Sequence, residues 1–160
     1  MGATRIAIGA GKGGVGKSFV TANLGITLAK LGKRICLVDF DLTSANLHTS
    51  LGQDPSSKNI SRYFFDSAPL KEQIVQTLVP QVSMIQGFWD QWSPVQISPS
   101  QTEQLLQDLA GLNFDFVLLD LGPGAMDAYL QSFSTCEERI LITSPEPTSL
   151  EKTYRFLEAH

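Results

Sequence analysis

The chain has 160 residues, 42% of them hydrophobic and 18% charged, with a formal net charge of −4; this suits one domain with enough apolar material for a core. The acidic balance supplies no electrostatic footprint for nucleic acid, and no apolar run approaches the roughly 20 residues of a membrane span. The first residues carry no signal peptide, and Ile6 stands where a myristoylation signal needs Ser or Thr.

In chain order, Arg5 to Ile8 reads as a strand running into a glycine-rich stretch. Lys17 to Leu31 then reads as a helix with Val20, Leu24, Leu28 and Leu31 on one face, stopped by Gly32. Ile35 to Phe40 is a second strand, with Cys36 expected as a buried thiol. Two cysteines so far apart, Cys36 and Cys136, make neither a disulfide framework nor a metal pair, and a reducing cytoplasm is the expected setting. His48 is expected on a helix surface. The polar stretch from Gly52 to Ser67 reads as a loop or short helix, with Arg62 to Phe65 packed. Gln81 to Gln86 is a third strand, followed by Trp89 and Trp92, which are expected to pack over a sheet edge. Ser100 to Ala110 reads as a helix opened by a capping box of Ser100 with Glu103 and closed by Gly111. Phe114 to Leu121 is an almost unbroken apolar strand, as expected where both faces are covered. Arg139 to Thr143 is another. A second capping box, Thr148 with Glu151, is expected to start a last helix with Leu150, Tyr154 and Leu157 on one side. That helix reaches His160 without a stop signal, so the expectation is a C-terminally truncated domain.

Strands alternating with helices imply an α/β fold: a mostly parallel, twisted sheet with helices on both faces. The motif Gly11-Lys12-Gly13-Gly14-Val15-Gly16-Lys17-Ser18 fits G-x-x-x-x-G-K-[ST] between a strand and a helix, the setting in which such a loop cradles phosphates. The whole of 1–160 therefore reads as a single P-loop NTPase domain. Lys17 is expected at the β- and γ-phosphates of ATP, and the Ser18 hydroxyl on Mg²⁺. Two strands end in carboxylates. Asp120, before Leu121-Gly122-Pro123-Gly124, is placed on the Mg²⁺ side. Asp41 is the candidate to orient and deprotonate the attacking water, and a candidate near the metal as well. Asp39 is expected to be structural or hydrogen-bonded to the loop. Lys12 is a second lysine where a phosphate loop needs only one.

These residues resemble the deviant Walker A family, the MinD/ParA group of ATPases. Lys12 matches its signature lysine, Asp41 and Asn46 its first switch, and Asp120 to Gly124 its second. The resemblance implies that two ATP-bound subunits face each other and that Lys12 crosses to the partner's phosphates, acting as an arginine finger does. Ala45 to Gly52 and Ser144 to Ser149 resemble the FlhG and MinD-like branch. In that branch membrane association comes through a C-terminal helix not contained in this sequence, and the protein is peripheral to the inner face of the membrane. Ser18-Phe19 departs from the commoner Thr-Thr and lacks one hydroxyl for phosphate.

The first reading is thus a Mg²⁺-dependent ATPase switch that dimerises on ATP, works with a protein partner, and positions or counts a flagellum or division site. A ParA-type DNA partition ATPase and a nucleotide-binding module without turnover are the alternatives. The absence of a C-x-x-C pair argues against an iron–sulfur carrier, and the scatter of three tyrosines against a tyrosine kinase.

Overall fold

The computed structural model describes residues 2–88 and 95–159; the Trp89–Trp92 segment and His160 lie outside the described residues. In chain order the elements are β1 (Thr4–Ala10), α1 (Lys17–Lys30), β2 (Ile35–Phe40), α2 (Leu47–Ser50), α3 (Ile60–Phe65), a 3₁₀ turn (Leu70–Gln73), β3 (Ile74–Gln76), β4 (Val82–Ile85), α4 (Pro99–Ala110), β5 (Phe116–Pro123), α5 (Asp127–Thr135), β6 (Glu138–Leu141) and α6 (Pro147–Ala159). Six strands form one sheet in the order β3-β4-β2-β5-β1-β6. All pairings are parallel except the short β3 against β4.

Every residue of β2 is buried, as are the six central residues of β5, because both faces of the sheet are covered. Side chains alternate across a strand, so β5 feeds two cores. Val117, Leu119 and Leu121 join Phe40, Leu105, Leu109, Phe133 and Phe156 under α3 to α6. Leu118 joins Ile8, Ala22, Leu37 and Met84 under α1 and α2. The expected α/β architecture with helices on both faces is therefore observed.

The local reading holds in outline and shifts in detail. Gly32 ends α1 at φ +81°, its N–H bonding Ala29 at 2.9 Å while Lys33 N–H bonds Leu28 at 3.2 Å, the paired bonds of a Schellman stop. The buried face of α1, however, is Thr21, Ala22, Gly25 and Ala29. The expected stripe of Val20, Leu24 and Leu28 is only half-buried, and Leu31 is 71% exposed. Small residues face the sheet because α1 lies close on it: a Cβ on Gly25 would stand 2.7 Å from Leu37 Cδ2. The capping box of α4 is Ser98 with Gln101, two residues before the expected one, and Pro99 takes the first helical position, where its fixed φ and missing N–H fit. Strand β3 and helix α5 were not expected at all. His48 is buried rather than on the surface, and its Nδ1 has no partner among the described residues.

In α6 the expected box of Thr148 with Glu151 does not form. The Ser149 and Leu150 N–H groups both bond the Glu146 carbonyl at 3.0 Å, and Glu151 pairs with Arg155. The helix also turns a different face inward: Ser149, Thr153 and Phe156 are buried, with Phe156 edge-on to Phe133 at 5.1 Å. Leu150, Tyr154 and Leu157 are each more than half exposed.

This assignment separates two neighbouring residues. Phe156→Ala should cost about 3–5 kcal/mol of stability and Leu157→Ser less than about 0.5 kcal/mol. Urea midpoints of this chain and the two variants check both.

Candidate nucleotide-binding site

The glycine-rich loop joins β1 to α1. Gly14 (φ +79°) and Gly16 (φ +92°) lie in the left-handed region that side-chained residues disfavour, so the loop can turn its N–H groups toward its own hollow. Gly16 caps α1 without a side chain, and the first helical bond runs from Val20 N–H to Gly16 at 2.9 Å. The N–H groups of Lys17, Ser18 and Phe19 thus precede any partner inside the helix. With the positive end of the helix dipole and no acidic residue in the first turn, the arrangement suits an anion.

Beneath the loop, Lys17 Nζ stands 2.6 Å from Asp120 Oδ1, with side chains only 9% and 1% exposed. The Ser18 hydroxyl donates to Asp120 Oδ2 at 2.5 Å. Thr21 completes the group: its hydroxyl reaches Asp120 Oδ1 at 3.1 Å and the Lys17 carbonyl at 3.0 Å. Thr21 escaped the motif reading, although its place one helical turn after Lys17 is a signal for it. Ser18 and Asp120 present adjacent oxygens, the donor type that Mg²⁺ takes, so these residues would suit such an ion.

Asp39 sits beside this group, in register with Asp120 on the adjoining strand. Burial pushes its carboxyl up to about 7; the Leu47 N–H opposes that, and the charge of Asp120 adds to it. The Leu47 and Asp41 N–H groups donate to it at 2.9 and 3.3 Å, so it braces the loop after β2 rather than the phosphate loop. Asp41 has a double position. It lines the cleft, yet its Oδ1 accepts Thr43 N–H (2.9 Å), the Thr43 hydroxyl (2.7 Å) and Ser44 N–H (3.0 Å). It shares no hydrogen bond with Ser18 or Asp120 among the described contacts.

The cleft holds about 380 Å³ and is lined by Lys12, Lys17, Ser18, Phe19, Asp41 and Asn46 with the loop glycines. Gly11 and Val15 do not line it. Gly11 serves packing, since a Cβ there would stand 2.3 Å from the Lys152 carbonyl carbon; the backbone of α6 lies directly against the loop. Lys12 is half-buried and ion-paired with Glu146, a partner that its sequence position did not reveal. Phe19, where a hydroxyl is commoner, is 68% exposed at the lip. A larger groove of about 660 Å³ between α3 and α4 contains none of the sequence-predicted site residues.

The raised carboxyl of Asp39 has a consequence with a definite sign. The folded chain takes up a proton on Asp39 near pH 7, the unfolded chain only near 4. In nucleotide- and metal-free buffer the Asp39 contribution should therefore stabilise the fold progressively as pH falls from about 8 to about 5. Asp39→Asn should flatten that rise by on the order of 2–4 kcal/mol. Urea midpoints of both proteins across that range test it.

A family model named ParA, described as "NUBPL iron-transfer P-loop NTPase", matches residues 3–159. The chain is 31% identical to the septum site-determining protein MinD of Bacillus subtilis, over 95% of this chain and 57% of that protein. It is also 31% identical to the antiactivator FleN of Pseudomonas aeruginosa, over 96% of this chain and 55% of that protein. It superposes on the Pyrococcus horikoshii MinD solved with Mg-ADP, with a TM-score of 0.85 and 32% identity, covering 98% of this chain and 64% of that one. The chain spans little more than half the length of these curated relatives. On its loop, its sheet and these matches, the chain belongs to the ParA family of P-loop NTPases, within the MinD/ParA group of ATPases.

Proposed function

We propose that this chain is the phosphate-binding part of a Mg²⁺-dependent ATPase switch that pairs with a second copy when ATP is bound. The observation that carries the reading is the division of labour between two lysines in one loop. Lys17 lies at the floor against Asp120, 9% exposed. Lys12 stands on the wall of the cleft and is ion-paired with Glu146.

On this reading Lys17 turns from Asp120 to the β- and γ-phosphates when ATP enters. The Ser18 hydroxyl and the Asp120 carboxylate would hold Mg²⁺, which would supply Lewis-acid stabilisation of the phosphoryl oxygens. The backbone N–H groups of the loop and of the first turn of α1 fix the phosphate chain. Water attacks the γ-phosphorus, its proton passes to the Asp41 carboxylate, and ADP departs as leaving group. Lys12 leaves Glu146 and meets the phosphates of the facing subunit, which makes pairing depend on the γ-phosphate.

The biological role we infer is positioning or counting of a cellular structure, a flagellum or a division site, in concert with a protein partner. The names of the relatives support it: one is a septum site-determining protein, another an antiactivator. We place this action in the cytoplasm, peripheral to the inner face of the membrane in a longer form. Among the described residues no helix is long and apolar enough to cross a membrane.

Asp41→Ala should bind ATP and hold it. Its mass in solution should be that of a dimer in Mg-ATP and of a monomer in Mg-ADP, as read by light scattering. Adding Lys12→Ala should return the ATP form to a monomer without loss of nucleotide binding. In the otherwise unaltered chain, Lys12→Ala should lower turnover by a hundredfold or more, on the order of an arginine-finger loss. The reading fails if Asp41→Ala releases phosphate as fast as the unaltered chain, or if mass is the same in both nucleotides.

A further inference from the structure

The pairing of β2 with β5 ends at Phe40 and Leu121. Beyond that point the two chains separate. One enters the Asp41–Ser44 turn, while β5 runs on through Gly122 and Pro123 beside β1, and no ladder bond joins the two. Tyr129 of α5 fills the space between them and is fully buried. Its hydroxyl oxygen accepts the N–H of Leu42, the residue after Asp41, at 2.8 Å. The same oxygen lies over Gly122, where a Cβ would stand 2.2 Å from it and 2.4 Å from the ring carbon that bears it. The ring is edge-on to Phe40, 6.2 Å between centroids and 79° between planes. On the far side of Gly122, the Gly124 N–H donates to the Ala10 carbonyl at 3.0 Å, at the start of the phosphate loop.

We propose that Tyr129 is a positioning residue that sets the spacing between the Asp41–Ser44 turn and the end of β5 at Gly122. It takes over where the β2–β5 ladder stops, and a shift of either segment is passed to the other through one phenol. A base that must face an attacking water loses rate when displaced by a fraction of an ångström to an ångström. The Asp41 side chain is fixed by Thr43 and Ser44, but the backbone that carries that turn is fixed at Leu42 by Tyr129. The glycine at 122 follows from the same contact, because any side chain there would displace the ring.

The turnover arm of the test rests on the hydrolysis reading above; the exchange arm does not. Tyr129→Phe keeps the ring and removes only the oxygen, leaving the buried Leu42 N–H without its acceptor. Gly122→Ala pushes the ring from the β5 side. For Tyr129→Phe we expect Mg-ATP affinity within about threefold of the unaltered chain, phosphate release slower by about tenfold, and Leu42 amide exchange faster by about tenfold. Gly122→Ala should likewise speed exchange at Leu42. Unchanged Leu42 exchange in both variants overturns the proposal, as does a Tyr129→Phe that loses affinity and turnover in equal measure. If the unaltered chain binds Mg-ATP but releases no phosphate, the hydrolysis reading falls and Leu42 exchange alone decides the role of Tyr129.

Discussion

Lys17 and Asp120 meet 2.6 Å apart, almost wholly removed from water. Either charge buried alone would cost several kcal/mol; together, with the Ser18 and Thr21 hydroxyls on the carboxylate, they are accommodated. The pair clamps the first turn of α1 to the end of β5 and so sets where the glycine loop lies. Asp39, in register beside Asp120, has no ion pair among the described residues, and burial lifts its carboxyl to about 7. On the proposed reading an incoming polyphosphate would compete with Asp120 for Lys17. Asp120 would then keep a counter-charge only if a cation took the lysine's place, which is a physical reason for nucleotide and divalent metal to enter together.

The sheet order explains why these groups converge. β1, β5 and β2 lie side by side and run parallel. Their C-terminal ends deliver the loop, Asp120 and Asp41 to one rim, the crevice where open α/β sheets bind ligands. Lys12 arrives from the same loop. Its counter-ion Glu146 comes from the far side of β6, immediately before α6, so the loop is held from below by Asp120 and from the side by α6.

Much of this was legible in the sequence because it is local. Unbroken apolar runs mark the buried strands, and glycine spacing followed by Lys17-Ser18 marks the phosphate loop. What failed depends on distance. Counting large apolar residues around α1 selected Val20, Leu24, Leu28 and Leu31, whereas the helix lies so close to the sheet that small side chains hold the contact. In α6 the same count missed Phe156, whose burial is set by Phe133. At α4 two serines could cap, and Pro99 settles the choice in favour of Ser98. Helix α5, made largely of weak helix formers such as Tyr, Ser, Thr and Phe, gave little periodic signal although it supplies Tyr129. The Lys12–Glu146 pair and the Tyr129 contacts join residues far apart in the chain, and no spacing rule announces them.

The two edges of the sheet differ. On one side β3 runs against its neighbour and is only three residues long, which blunts that edge as a template for a further strand. On the other side β6 pairs only with β1, so among the described residues its outer backbone groups meet no strand. Two routes of self-association are therefore distinguishable by their amide I signature. Growth at β6 adds intermolecular β-structure and ignores the nucleotide, whereas a face-to-face pair across the cleft adds none. An aggregate of the first kind would mimic a dimer by mass alone and would betray itself in the infrared.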